Sequence, residues 1–341
     1  MSELRNLLAE TAAKVFRGLP ETGALPGWDR IVESGLCAVM VPEAAGGFGG
    51  GWEDALVVFR QIGADAVALP VAEAIIANRL LAAANIALDG RPTSFAARAA
   101  GGLARGGETF VFTGTLSAVP WGNAAARIVA RFEHEGAAHL ISVEQAAAST
   151  RTEHANLAGE PRADLSFEGA RVAIAPWPAR EHHDFVAMGA LARTCQIAGT
   201  LDAVLAMTIE HAKTRQQFGR ALGQFQAIQQ QLAVFASETA AVGAAAAAAC
   251  RAADRGDAGF EIGCAKLRAN RAVDVATSVA HQIHGAIGIT QEHALHRHTQ
   301  RLWSWKSEYG NDRYWAARLG QRIAARGADT LWSDLVARAC V

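Results

Sequence analysis

Arg215-Gln216-Gln217-Phe218-Gly219-Arg220-Ala221-Leu222-Gly223-Gln224-Phe225-Gln226-Ala227-Ile228-Gln229 joins two long stretches of helical period. Arg215 ends the first stretch, where a guanidinium can take an anionic group bidentately. Phe218 offers a flat apolar face, and Gly219 and Gly223 let backbone come close to a ligand. Gln226 both donates and accepts hydrogen bonds. This set suits a nucleotide diphosphate; a helix hairpin with a polar turn uses the same residue types. A second segment, Gln282-Ile283-His284-Gly285-Ala286-Ile287-Gly288-Ile289-Thr290, repeats the choice. Gln282 can bond a ribose or phosphate oxygen, while a glycine-capped helix end is the plainer reading.

Around these segments the 3.6 period predicts helices over 184–214, 225–255, 260–287 and 311–325, with glycines at the breaks. Long, closely connected helices predict a four-helix bundle over 181–341. Residues 1–94 carry the same period, in Leu4, Leu7, Leu8, Ala12 and Val15, then over 54–63 and 72–84, with Pro20 to Pro26 as a stop. Between them, over 95–180, an Ala/Gly-rich loop at 97–107 precedes short alternating runs. Phe110-Val111-Phe112, Arg127 to Phe132, Ala138 to Val143 and Ala163 to Phe167 read as strands of a β-barrel-like domain. The expected fold is mainly α with a β insert: helical domain, β-domain, helical bundle.

The 341 residues exceed one ordinary core, and 51% hydrophobic with 19% charged residues is a globular balance. A net charge of -1 carries no basic stripe for nucleic acid. Cys37, Cys195, Cys250, Cys264 and Cys340 show no CxxC spacing and read as free thiols of a reducing compartment. The first residues hold no apolar signal core. The most apolar run, 240–250, falls short of the ~20 residues that span a bilayer. A cytoplasmic protein acting away from membranes is expected.

Taken in order, the segments resemble the acyl-CoA dehydrogenase superfamily. Its members carry an Arg-x-x-Phe-Gly turn, a Gln-Ala-Ile helix start and a Gln-x-x-Gly-Gly-like turn. Val41-Pro42-Glu43-Ala44-Ala45-Gly46-Gly47 is similar to the family's Val-Pro-Glu-x-x-Gly-Gly loop. The resemblance implies FAD, held by Arg215, Phe218, Gln226, Gln282 and Gly285, with some contacts crossing a subunit boundary. It implies an acyl-CoA substrate, an electron-transfer flavoprotein or similar acceptor, and a homo- or hetero-oligomer. The implied reaction is α,β-dehydrogenation. A carboxylate removes the α-proton of the thioester while hydride leaves the β-carbon.

Many members place that carboxylate in a Tyr-Glu-Gly sequence. Here the order is Ser307-Glu308-Tyr309-Gly310, which makes Glu308 the candidate base, one place early. One helical step turns a side chain by about 100°. The other family position for the acid precedes an arginine; the matching pair here is Ala192-Arg193. The alternative is a non-catalytic subunit that completes a partner's FAD site, as in small subunits of bacterial steroid-degrading members. A flavin oxidase or monooxygenase on the same scaffold is a further alternative.

Three other features read more plainly. Gly46-Gly47-Phe48-Gly49-Gly50-Gly51 could open a dinucleotide site, but no βαβ series follows, so a flexible surface loop is expected. His281, His284, His293, His296 and His298 lack a metal-binding pattern and read as capping and packing residues. Trp303, Trp305 and Trp315 read as core packing near Glu308, or as walls of an acyl pocket.

Overall fold

Apolar residues at helical spacing fold the first part of the chain into four helices: α1 (Glu3–Phe16), α2 (Trp28–Glu33), α3 (Trp52–Ala64) and α4 (Val71–Ala83). The computed structural model describes residues 3–19, 25, 27–107 and 109–339. The expected stop at Pro20 to Pro26 falls almost wholly outside these residues, as does Cys340. The loop from Gly46 to Gly51 is a surface turn but not a loose one. Its N–H groups donate in order to Glu43, Pro42, Ala38, Val41, Val39 and the Asp54 carboxylate. Asp254 takes the next two, Trp52 N at 2.6 Å and Glu53 N at 3.0 Å. No donor remains there for a phosphate.

Seven strands follow: β1 (Thr93–Ala96), β2 (Ala99–Gly106), β3 (Thr109–Pro120), β4 (Arg127–His134), β5 (Ala137–Glu144), β6 (Thr150–Ala155) and β7 (Pro161–Pro176). They run in the order β1-β4-β5-β7-β3-β2, with β6 also on β7. Only the β1–β4 pairing is parallel. Inward residues of the alternating strands (Phe112, Leu116, Ile128, Ile141, Leu165, Phe167) form a separate core. The stretch expected as a loop over 97–107 is largely strand β2. Its Ala and Gly residues have weak strand preference, and pairing with β3 imposes the conformation.

The last part holds α5 (Phe185–Thr214), a small hairpin β8–β9 (Gln216–Gln217, Arg220–Ala221), α6 (Gln226–Arg255) and α7 (Gly259–His284). Then come α8 (Leu295–Ser307), α9 (Asp312–Arg326) and α10 (Leu331–Ala339). Helices α5, α6, α7 and α9 match the sequence expectation closely. Helix α8 was not expected, because most of its buried face is polar: His298, Thr299, Arg301 and Ser304. Helix α6 is long and apolar enough, by length and composition, to cross a membrane. In this fold it packs against α5 and α7.

One core unites the N-terminal helices with α5, α6 and α7. Helices α3 and α5 cross at van der Waals contact of their backbones. A methyl group on Gly199 would lie 1.8 Å from the Arg60 carbonyl oxygen, and one on Gly63 would lie 2.0 Å from that of Gln196. This crossing fixes α5, whose neighbouring turns carry the central residues of the site.

Candidate active site

A cavity of about 610 Å³ opens where the β-domain meets the start of α5 and the α8–α9 turn. Small side chains form much of its wall, among them Ala97, Ala118, Ala155 and Ser307. Glu308, Tyr309 and Gly310 lie along it, so the sequence-derived candidate does reach a ligand-sized space.

The Glu308 carboxylate is already engaged. It is ion-paired with Arg193 Nε at 2.8 Å and with Arg162 Nη2, and it accepts from Asn156 Nδ2 at 3.0 Å. The network continues inward. Arg193 Nη2 meets Glu73 at 2.8 Å and its Nη1 donates to Gln196 at 2.6 Å. Arg162 and Arg301 each lie 3.3 Å from Glu160. Trp305 Nε1 and Asn156 Nδ2 also donate to Glu160, at 3.1 and 2.9 Å. Three guanidiniums thus answer three carboxylates across α4, β7, α5 and α8.

Burial works to raise the Glu308 carboxyl, but the charges of Arg193 and Arg162 and the bond from Asn156 outweigh it and hold it at about 2. A general base is most effective when its pKa lies near the working pH. Neutralised on both oxygens, Glu308 is suited to anchoring and poorly suited to taking a carbon-bound proton.

Tyr309, in the family's usual slot for the acid, turns inward. Its backbone is left-handed, with φ +54°. Its ring lies against Gly189 of α5, where a Cβ would meet Cδ1 at 2.6 Å. The ring tilts over Phe95 at 5.7 Å, and the Arg193 guanidinium lies 5.8 Å from its centroid. The turn is tied down from two sides. Trp315 Nε1 donates to the Tyr309 carbonyl at 3.0 Å. The fully buried Lys266 donates to the last carbonyls of α8, Trp305 at 2.7 Å and Lys306 at 3.1 Å, and to Asn270 at 2.8 Å. Burial brings the Lys266 amine down to about 7.

Trp305 and Trp315 are thus packed, hydrogen-bonded core residues. Trp303 is 38% exposed and stacks on His281. None of the three lines the cavity. Arg193, Arg162, Glu73, Glu160 and Lys266 were missed from sequence. Isolated charged residues give no periodic signal, and Ala192-Arg193 drew notice only for the acid it lacks.

The five residues expected at the cofactor lie elsewhere, at one end of the bundle, all exposed. Arg215 caps α5, Gln226 begins α6, and Phe218 sits at the β8–β9 tip, 90% exposed with φ +54°. The hairpin is closed by Leu222 N donating to the Arg215 carbonyl at 2.9 Å. Gln282 and Gly285 end α7. The ends of α5 and α7 meet through His211 and His284, stacked at 4.4 Å, with His293 4.8 Å from His284. Burial, with smaller help from the neighbouring imidazoles, lowers His284 to about 4, so its ring packs neutral at the end of α7.

A chain with this order of helical, β and helical parts, and this paired-turn surface, has the architecture of an FAD-dependent dehydrogenase. Residues 1–94 match the acyl-CoA dehydrogenase N-terminal domain and residues 183–326 the acyl-CoA dehydrogenase C-terminal domain. The chain belongs to the acyl-CoA dehydrogenase superfamily. It is 27% identical over 278 residues to acyl-CoA dehydrogenase IpdE2 of Mycobacterium tuberculosis, covering 80% of this chain and 79% of that protein. Among solved structures, the ChsE4-ChsE5 complex from Mycobacterium tuberculosis matches with TM-score 0.82 at 22% identity, over 95% of this chain and 98% of that one. The Tcur3481-Tcur3483 steroid ACAD G363A variant matches with TM-score 0.82 at 23% identity, over 96% and 98%.

FAD is the cofactor of this class, and the chemistry of the bundle-end residues is compatible with it. They supply a guanidinium for a diphosphate, a flat exposed ring and two carboxamides, but the junction cavity is lined by none of the five.

Proposed function

We propose that this chain is one subunit of a hetero-oligomeric acyl-CoA dehydrogenase for bulky, steroid-like acyl thioesters, and that the α-proton base comes from its partner. The observation that carries this is the carboxylate of Glu308 held between Arg193 and Arg162. The small-residue walls of the junction cavity support a wide acyl group. The fold matches include a two-component complex and a steroid ACAD, which agrees with both parts of the proposal.

Bound FAD would supply the hydride acceptor for the β-carbon, and an electron-transfer flavoprotein or similar acceptor would be the next electron carrier. The chain's own residues bind and orient. Arg215 would meet the diphosphate charge, Phe218 would offer its flat face, and Gln226, Gln282 and the backbone at Gly285 would hydrogen-bond the nucleotide. Arg193, Arg162 and Lys266 fix the α8–α9 turn that borders the cavity.

The test is flavin bleaching by a bulky alicyclic acyl-CoA under anaerobic conditions. The isolated chain should retain little flavin and should not bleach. The complex with its partner subunit should bleach, and Glu308→Gln in this chain should leave that bleaching within about twofold. Bleaching by the isolated chain, abolished in Glu308→Gln, would overturn the proposal and restore Glu308 as base.

A further inference from the structure

Helices α5 and α6 pack along their buried sides, and at one level the contact is sulfur on sulfur. Cys195 of α5 and Cys250 of α6 hold their Sγ atoms 3.6 Å apart, both fully buried in the core that joins the N-terminal helices to the bundle. Both are free thiols, and among the described residues no other two cysteine sulfurs are in hydrogen-bonding contact. Ala246, Ala249 and Ala253 are buried on the same side of α6, and such small side chains let the helices approach closely.

A buried cysteine ordinarily packs as a small apolar residue. Two in contact on neighbouring helices offer chemistry that two alanines would not. A disulfide has an S–S length of about 2.05 Å, so closing the bond needs an approach of about 1.5 Å, shared between side-chain rotation and a small movement of the helices. Access is the second requirement. Helix α6 reaches the surface, where Ala248 and Arg251 beside Cys250 are exposed, so a small neutral oxidant has one helix to pass. Burial pushes the Cys250 thiol up, with the contact to Cys195 adding to it, so its thiolate forms when the helices part rather than in the closed core.

We propose that Cys195 and Cys250 are a redox-sensitive pair, joined by hydrogen peroxide into a disulfide that locks α5 to α6. One sulfur attacks the peroxide, breaking its O–O bond and releasing water, and becomes a sulfenic acid. The second sulfur, already in contact, attacks the first; the S–S bond forms, the S–O bond breaks and a second water leaves. The two thiols lose two electrons and two protons, and one hydrogen peroxide becomes two waters. A neighbour this close captures the sulfenic acid before further oxidation. The cysteines are 55 positions apart, and the loop the bond closes contains the hairpin with Arg215, Phe218 and Gln226, so the bundle end is restrained together with the core.

Exposing the folded full chain to hydrogen peroxide, alkylating the remaining thiols and digesting with trypsin tests this. The expected product is peptide 194–213 joined to peptide 221–251, lighter than their sum by two hydrogens and separated by dithiothreitol. Closing a loop of this length should lower the urea-unfolding equilibrium constant by up to roughly a thousandfold relative to the reduced chain. Cys195→Ala and Cys250→Ala should give neither the linked peptide nor the shift between peroxide-treated and reduced samples. Each variant is thereby its own reference for any lost packing. Exposed Cys264 reports that the oxidant acted. Its oxidation without a linked peptide would refute the pairing and leave the two sulfurs as packing groups. A link that forms only in urea, or sulfinic acid at either position in place of the bond, would also refute it. A linked chain no more stable than the reduced one would refute the lock.

Discussion

Replacing Glu308 with Gln separates an anchoring carboxylate from a catalytic one. In the folded chain its carboxyl is moved from 4.5 to about 2. A shift of that size corresponds to about 3 kcal/mol of stabilisation at neutral pH. The substitution leaves Arg193 and Arg162 facing a neutral amide and tips the balanced network to a net positive charge. Loss of one member of a buried ion pair costs about 3–5 kcal/mol, in line with the first figure. Urea unfolding at pH 7 should therefore show the variant about 3 kcal/mol less stable. The sign with pH follows from the depressed value. The wild type's advantage is complete above pH 4.5 and fades as pH falls toward 2, where the carboxylate protonates in the folded chain as well. The two unfolding curves should converge over that window. A variant as stable as the wild type at pH 7, yet inactive in the assembled enzyme, would show that the carboxylate serves chemistry and refute the anchoring argument.

Arg215→Ala should lower flavin retention of the assembled enzyme at least tenfold, read by absorbance after gel filtration, with no change in the far-ultraviolet circular dichroism. Gly199→Val should destabilise the chain by more than 3 kcal/mol in urea unfolding, because its side chain would overlap the Arg60 carbonyl at the α3–α5 crossing. Lys266→Met should remove a pH dependence. The folded wild type gives up the lysine proton near 7 rather than 10.5, so its stability rises with pH between those values, whereas that of Lys266→Met stays flat.

The architecture was legible because apolar period and turn chemistry agree along most of the chain. Leu4, Leu8 and Ala12 mark one face of α1, and Arg127 to Phe132 alternate as β4 requires. The failures have physical causes. Strand β2 is built from Ala and Gly, which state no preference, and α8 hides behind buried His298, Thr299, Arg301 and Ser304. The bundle-end residues come together simply, because they lie in two short segments at the ends of α5 and α7. The charge network was not legible, because Glu73, Arg162, Arg193 and Glu308 are far apart in sequence and meet only once three parts of the fold assemble. The exchange at positions 308 and 309 was visible as an anomaly. Its outcome depended on Arg193, one turn of α5 beyond Gly189, whose lack of a side chain admits the Tyr309 ring.

Lys266 offers one more consequence. The chain has four lysines; Lys14 and Lys213 are exposed and Lys306 is partly so, while Lys266 is sealed with all its donors engaged. An amine-modifying reagent should tag the first three in the native protein and reach the fourth only when α7 and α8 separate. The rate at which that fourth tag accumulates is thus a built-in clock for local opening beneath the cavity, readable by mass spectrometry without any added label site.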